Sequence, residues 1–412
     1  MPVRHCLLPA ALLISLLAGC GGGSATAAAE DASADAAALR PPRPAPVPAP
    51  APTLAQVGDR LFEEVSLSAS GKLACASCHV ESRGHADAAG SFLPLGGTDG
   101  THQGLRSSPS ARYLDQAGPF GFDAQGRPRG GLFWDGRADN RVEQARGPLF
   151  NPDEMANADV AALAARLRAL PYAADLRAAA NLPAAATDDQ LVDAAVTAIA
   201  RYQAEDAGFR PFTSKFDAVQ DGRASFTAQE QRGLNLFNDP QRGNCASCHS
   251  SRPAPGAAGL NRALFTDFSY HALGVPRNQS RATADPAFFD LGLCARGDLA
   301  GRADLCGLFR TPTLRNVALT GPYFHNARFA ALEDVVAFYA TRDIDPARWY
   351  PSANGQVQIY NDLPAVYRTN VQQGAPFRRA GQPPALNVQD VADVVAFLRT
   401  LSDGFTPAQP GQ

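Results

Sequence analysis

Apolar positions along this chain recur at helical rather than alternating spacing. Between Val388 and Leu401, the residues Val391, Val394, Val395 and Leu398 fall at i, i+3, i+4 and i+7, which predicts a helix with one buried stripe. Leu191 to Ile199 and Asp159 to Leu170 are further Ala/Leu-rich helical segments, and Leu332, Val335, Val336 and Tyr339 form another amphipathic stripe. Strand-like alternation is sparse, and long Gly/Pro loops separate the helices. The chain therefore reads as mainly α with extended loops. A local repeat is also present: Gly58-Asp59-Arg60-Leu61-Phe62 and Gly233-Leu234-Asn235-Leu236-Phe237 each carry Leu and Phe on one helical face.

Each repeat leads into a Cys-x-x-Cys-His pentapeptide, Cys75-Ala76-Ser77-Cys78-His79 and Cys245-Ala246-Ser247-Cys248-His249. That spacing is the attachment signature of c-type haem. Two thiols three positions apart each add to one vinyl group, and the following histidine lies under the iron as proximal ligand. The competing reading is a zinc site, but zinc held by four thiolates makes no use of the two adjacent histidines. A helix, a loop and this pentapeptide open a cytochrome c domain, and such domains close with a helix packed across the first. Val388–Leu401 would close the second domain and Leu191–Ile199 the first. The expected fold is two cytochrome c-like helical domains, residues 54–215 and 216–405, with one covalent haem c each and a short tail at 406–412.

The N-terminus points to export. Arg4 and His5 precede an apolar run from Leu7 to Leu17, too short to span a bilayer but suited to a secretory signal. It ends in Leu17-Ala18-Gly19-Cys20, which looks like a bacterial lipobox; residues 1–19 would be removed and Cys20 lipidated. Ordinary cleavage releasing a soluble protein is the alternative. Residues 20–53 are rich in Ala, Pro, Gly and Ser and read as a tether. The expected location is the periplasm, with the membrane reached through lipid alone. A net charge of −3 gives no basic excess for nucleic acid. Of eight cysteines, Cys294 and Cys306 remain after the haem, signal and lipid assignments; they form a disulfide or stay as two free thiols.

Further segments carry the chemistry. Phe133-Trp134-Asp135-Gly136-Arg137-Ala138 lies between the pentapeptides, followed by Gln144-Ala145-Arg146-Gly147-Pro148 and Asn151-Pro152-Asp153-Glu154-Met155. After the second come Thr311-Pro312-Thr313-Leu314-Arg315-Asn316 and Gly321-Pro322-Tyr323-Phe324-His325. With these motifs the chain resembles the bacterial dihaem cytochrome c peroxidase family, which includes the MauG-type enzymes, from about residue 54 to 405.

The resemblance implies that the N-terminal haem reacts with peroxide and the C-terminal haem relays electrons. His79 would then be proximal ligand of the reactive haem and His249 of the other. Trp134 matches the family's tryptophan between the haems, a role compatible with plain core packing. Gln144, Pro148 and Glu154 match the distal-pocket pattern at i, i+4 and i+10. There Glu154 would move the proton that O–O cleavage requires, and Gln144 would orient oxygen or water. His102, or less closely His85, stands near a histidine that ligates the resting reactive iron in some members.

Where the classical peroxidases place a methionine, fourteen residues after His325, this chain has Tyr339. Met155 is the one methionine beyond Met1 and belongs to the distal-pocket motif of the other domain, so composition nearly excludes methionine ligation of the second haem. MauG-type members use tyrosine, a hard anionic donor that favours ferric and higher states. Tyr339 is therefore the expected sixth ligand, with ordinary stripe packing as the competing reading and His271 as the fallback ligand. Thr320 and Pro322 match carbonyl contributors to an inter-haem calcium, but Ser107 replaces the asparagine that completes that site.

The expected activity is reduction of hydrogen peroxide with electrons from a small cytochrome c or cupredoxin. The alternatives are MauG-like oxidation of residues on a partner protein, or a non-catalytic electron carrier. A homodimer is compatible with the chain.

Overall fold

In the computed structural model, which describes residues 51–87, 93–253, 261–279 and 287–407, helices account for most of the regular structure. They are α1 (Leu54–Phe62), α2 (Cys75–Cys78), α3 (Arg141–Phe150), α4 (Val160–Ala169), α5 (Ala173–Ala179), α6 (Asp188–Glu205), α7 (Lys215–Gln220), α8 (Ala228–Asn238), α9 (Leu332–Thr341) and α10 (Val388–Arg399). Thr53, Thr187, Ser214, Thr227 and Asn387 start α1, α6, α7, α8 and α10 with capping boxes, in which cap and third helical residue satisfy each other's free N–H groups. Strand content among the described residues is limited to eight two-residue strands in four antiparallel ribbons. The signal segment, most of the tether including Cys20, and the end of the tail lie outside the described residues.

Two helix pairs organise the apolar interior. α1 packs on α6 and α8 packs on α10. In both crossings the glycine of the repeat is the contact point. A Cβ placed on Gly58 would lie 1.9 Å from the Ala198 carbonyl oxygen, and one on Gly233 would lie 2.0 Å from that of Asp393. Only a residue without a side chain lets these backbones approach so closely.

Around α1 and α6, Val57, Leu61, Phe62, Leu163, Leu167, Ile199 and Phe209 form one core. Around α8 and α10, Phe216, Phe237, Phe265, Val394, Val395 and Phe397 form another. The stripe read between Val388 and Leu401 is the buried face of α10, with Val394, Val395 and Leu398 inside and Val388 exposed at the first turn. Arg315 and Asp217 are fully buried at the second core and make a two-point ion pair at 2.9 and 3.0 Å. Cys294 and Cys306 are joined as a disulfide.

Candidate active site

Both pentapeptides fold into one tight turn. The His79 N–H donates to the Cys75 carbonyl at 2.9 Å, and the His249 N–H donates to that of Cys245 at 2.8 Å. Each imidazole is then oriented from behind. His79 Nδ1 lies 3.0 Å from the His85 carbonyl oxygen, and His249 Nδ1 lies 2.9 Å from that of Phe265. A ring whose Nδ1–H is held by a carbonyl presents Nε2 as the free lone pair, the orientation that metal-ligating histidines use. Burial lowers the pKa of both rings, which keeps that lone pair unprotonated.

The pentapeptides open onto two cavities. Cys75, Cys78 and His79 line one, of about 390 Å³. Cys245, Cys248 and His249 line the other, of about 210 Å³. The four thiols are not paired as disulfides and do not converge into a four-thiolate set. Among the described residues, the cluster of metal-type ligands is Cys248, Asp267 and His271. An apolar wall, two unpaired thiols and a pre-oriented imidazole in each cavity fit a covalently held haem and not a shared zinc.

In the first cavity, Gln144 and Pro148 share one face of α3, and Glu154 enters from the turn beyond it. Asn151 Nδ2 donates to Glu154 Oε1 at 2.7 Å, while the Glu154 carbonyl accepts the Gly97 N–H at 2.8 Å. Burial raises the pKa of the Glu154 carboxyl, offset in part by the Arg137 charge and the Asn151 bond. Arg137 lines the same cavity, stacked 3.6 Å over Phe133 and paired with Asp135 at 2.9 Å. Met155 also lines this cavity and is buried in the first core.

Trp134 borders both cavities. Its Nε1 donates to the Ser107 carbonyl at 2.9 Å, and its ring meets His325 edge to face at 6.5 Å. In the second cavity, Tyr339 comes from α9 and stacks on Phe377 at 5.7 Å. Among the described residues its hydroxyl has no hydrogen-bond partner, and burial raises the phenol pKa strongly. His271 also lines this cavity, beside Cys248 and 3.5 Å from Asp267.

Other expected positions lie elsewhere. His102 is half exposed, 3.6 Å from Asp153, and lines neither cavity. His85 is buried behind His79, stacked 4.1 Å from Phe209, with Nδ1 accepting from Arg112 Nε at 3.0 Å. Its carbonyl is the one that holds His79 Nδ1. Thr320, Pro322 and Ser107 do border the second cavity. However, the Ser107 hydroxyl donates to the Phe324 carbonyl at 2.7 Å, and the Arg83 guanidinium holds the Gly321 carbonyl at 2.5 Å. The Arg83 charge, held at the residue between Thr320 and Pro322 in sequence, disfavours a cation at these positions.

Sequence reasoning missed Asn151, Arg137 and the cluster around Arg106, which pairs with Asp135 at 2.6 Å and Asp290 at 2.7 Å. Asp135 and Arg137 lay inside a quoted motif; Asp290 carried no local signal.

Known proteins match this chain over most of its length. A family model described as di-haem cytochrome c peroxidase matches residues 52–225. The methylamine utilization protein MauG of Paracoccus denitrificans is 36% identical over 372 residues, 85% of this chain and 88% of that protein. A cytochrome c551 peroxidase of Nitrosomonas europaea is 31% identical, over 85% of this chain and 80% of its own. The crystal structure of the diheme peroxidase BthA from Burkholderia thailandensis superimposes with a TM-score of 0.78 at 42% identity, covering 87% of this chain and 88% of that one.

Proposed function

Because the chain belongs to the di-haem cytochrome c peroxidase and MauG family and is a peroxidase-type oxidoreductase, we propose that it reduces hydrogen peroxide to water in the His79 cavity with electrons entering by the His249 cavity. Cys75 and Cys78 would hold one haem and Cys245 and Cys248 the other, through thioethers. When bound, the haems supply the electron storage and the iron that peroxide reacts with. The polypeptide supplies the rest.

One observation carries this reading: the cavity that receives the His79 lone pair also contains Glu154, Gln144 and Pro148 and shares Trp134 with the other cavity. The Glu154 carboxylate accepts a proton from the incoming peroxide and returns it to the departing oxygen. Asn151 fixes the carboxylate, and Arg137 favours its ionised form between turnovers. Gln144 orients the substrate from α3, and Pro148 fills the same helical face with an apolar surface that admits no competing donor. Trp134, locked by Ser107, is the aromatic bridge for electrons. The donor would be a small cytochrome c or cupredoxin, and export with lipidation at Cys20 would place the enzyme in the periplasm.

Tyr339 favours a second reading, MauG-like oxidation of a partner protein, since it lines the second cavity with a hydroxyl that has no hydrogen-bond partner among the described residues. The likeness to a MauG protein, a cytochrome c551 peroxidase and a diheme peroxidase supports an enzyme over a non-catalytic carrier. Steady-state peroxide reduction with a reduced small cytochrome or cupredoxin decides between the two. Turnover at enzyme-like rates supports peroxide reduction; protein oxidation without donor-linked turnover favours the MauG-like alternative.

A further inference from the structure

Among the described residues, buried arginines are matched by carboxylates, with one exception. Arg112 lies 3.5 Å from Asp403, Arg315 lies 2.9 Å from Asp217, and Arg342 lies 2.5 Å from Asp343. Arg310 is equally buried, 4% exposed, yet among the described residues it makes no ion pair. Its Nε donates to the Phe133 carbonyl at 3.0 Å, and one terminal nitrogen, Nη1, is sealed from solvent with no partner. Burial accordingly pulls the guanidinium pKa below its ordinary value, with Tyr270 and Asp135 opposing.

The position of this residue is fixed by backbone. Arg310 sits in a two-residue strand, Phe309–Arg310, paired with Tyr270–His271. Its own N–H donates to the Trp134 carbonyl at 2.8 Å. The side chain borders both cavities, as Trp134 does. A buried cation without a counter-charge is unfavourable unless an anion reaches it. The planar guanidinium fork selects a carboxylate, which it can grip at two points.

We infer that Arg310 binds a haem propionate at the wall shared by the two cavities, an assignment that rests on the dihaem reading above. The residue then ties the cofactor's carboxylate to the backbone of Phe133 and of Trp134, which borders both cavities. Its positive charge stabilises the reduced, less positive state of the neighbouring iron. The rival source of the same chemistry is a free carboxylate anion from solution.

The test uses the haem-loaded protein and its Arg310→Gln and Arg310→Lys variants, with covalent haem first counted by mass. Spectroelectrochemistry is run with and without added acetate. For Arg310→Gln, the one-electron reduction equilibrium of at least one haem should fall about tenfold or more, or about 59 mV. Arg310→Lys should recover part of that loss, and acetate should have no effect on wild type. Unchanged potentials in a fully loaded Arg310→Gln protein would overturn the assignment, as would potentials that follow acetate concentration in wild type. If Arg310→Gln does not load, a crystal structure of the loaded wild type decides. A propionate oxygen in hydrogen-bond contact with the guanidinium supports the inference; a propionate turned away from it refutes it. A wild-type chain lacking haem would overturn the dihaem reading as well.

Discussion

Glu154→Gln isolates the proton-transfer role most cleanly. Glutamine keeps the size of the side chain, and its carbonyl oxygen can still accept the Asn151 amide, now 2.7 Å from Glu154 Oε1. What disappears is the ability to take up and release a proton. A positioned acid–base group contributes about 10²- to 10⁴-fold, which at about 1.36 kcal/mol per tenfold is roughly 3–5 kcal/mol of barrier. Because the hydrogen bond and shape persist, kcat/KM for peroxide should fall by that factor while haem content and spectra are retained. Burial raises the folded-state pKa of Glu154, so the wild-type rate should decline with falling pH at a value above that of an ordinary glutamate. That acidic limb should vanish in the variant.

The same shift has a stability consequence. A carboxyl with a raised folded-state pKa favours the fold below its unfolded pKa, and that contribution is lost as pH rises through the folded value. Replacing it with glutamine should therefore leave stability at neutral pH unchanged or higher. A loaded Glu154→Gln protein turning over peroxide within about threefold of wild type would refute the assignment, since general acid–base catalysis predicts a far larger loss.

Tyr339→Phe should change the visible spectrum of the second haem if the phenol is its ligand; an identical spectrum would return Tyr339 to the role of packing against Phe377. Gly58→Ala would drive a methyl group into the Ala198 carbonyl, and overpacking of this kind costs about 1–3 kcal/mol, readable as a lower midpoint in denaturant. Asp217→Asn leaves the fully buried Arg315 without its counter-charge and should cost about 3–5 kcal/mol by chemical unfolding. Although burial opposes ionisation, the Arg315 bonds hold the Asp217 pKa below the ordinary value. Its contribution is therefore present above the unfolded pKa and lost as pH falls through the folded value, so the variant should show a flatter acid-unfolding profile than wild type.

The helices were legible because an apolar stripe needs only local spacing, as in α10, where Val394, Val395 and Leu398 are buried. The two Cys-x-x-Cys-His turns were legible for the same reason, since both thiols and the histidine lie within five residues. The two-residue ribbons were not, because such short pairings depend on tertiary neighbours and leave no alternating pattern. Gly58 and Gly233 appeared in the sequence only as members of a repeat; their need to be glycine comes from a helix crossing distant in the chain. His102, and less closely His85, stood near the ligand position in sequence, whereas loop geometry sends one to the surface and the other behind His79. The Arg106–Asp290 pair spans 184 positions, a separation at which charge spacing carries no information.

The central claim is that both cavities hold haem fixed through Cys75, Cys78, Cys245 and Cys248. Mass spectrometry of the denatured protein, produced with haem-maturation factors, tests it most directly. The account predicts the mass of the processed chain plus two haems, reduced to one when Cys75 and Cys78 are both replaced by serine. A wild-type mass equal to the polypeptide alone would contradict it.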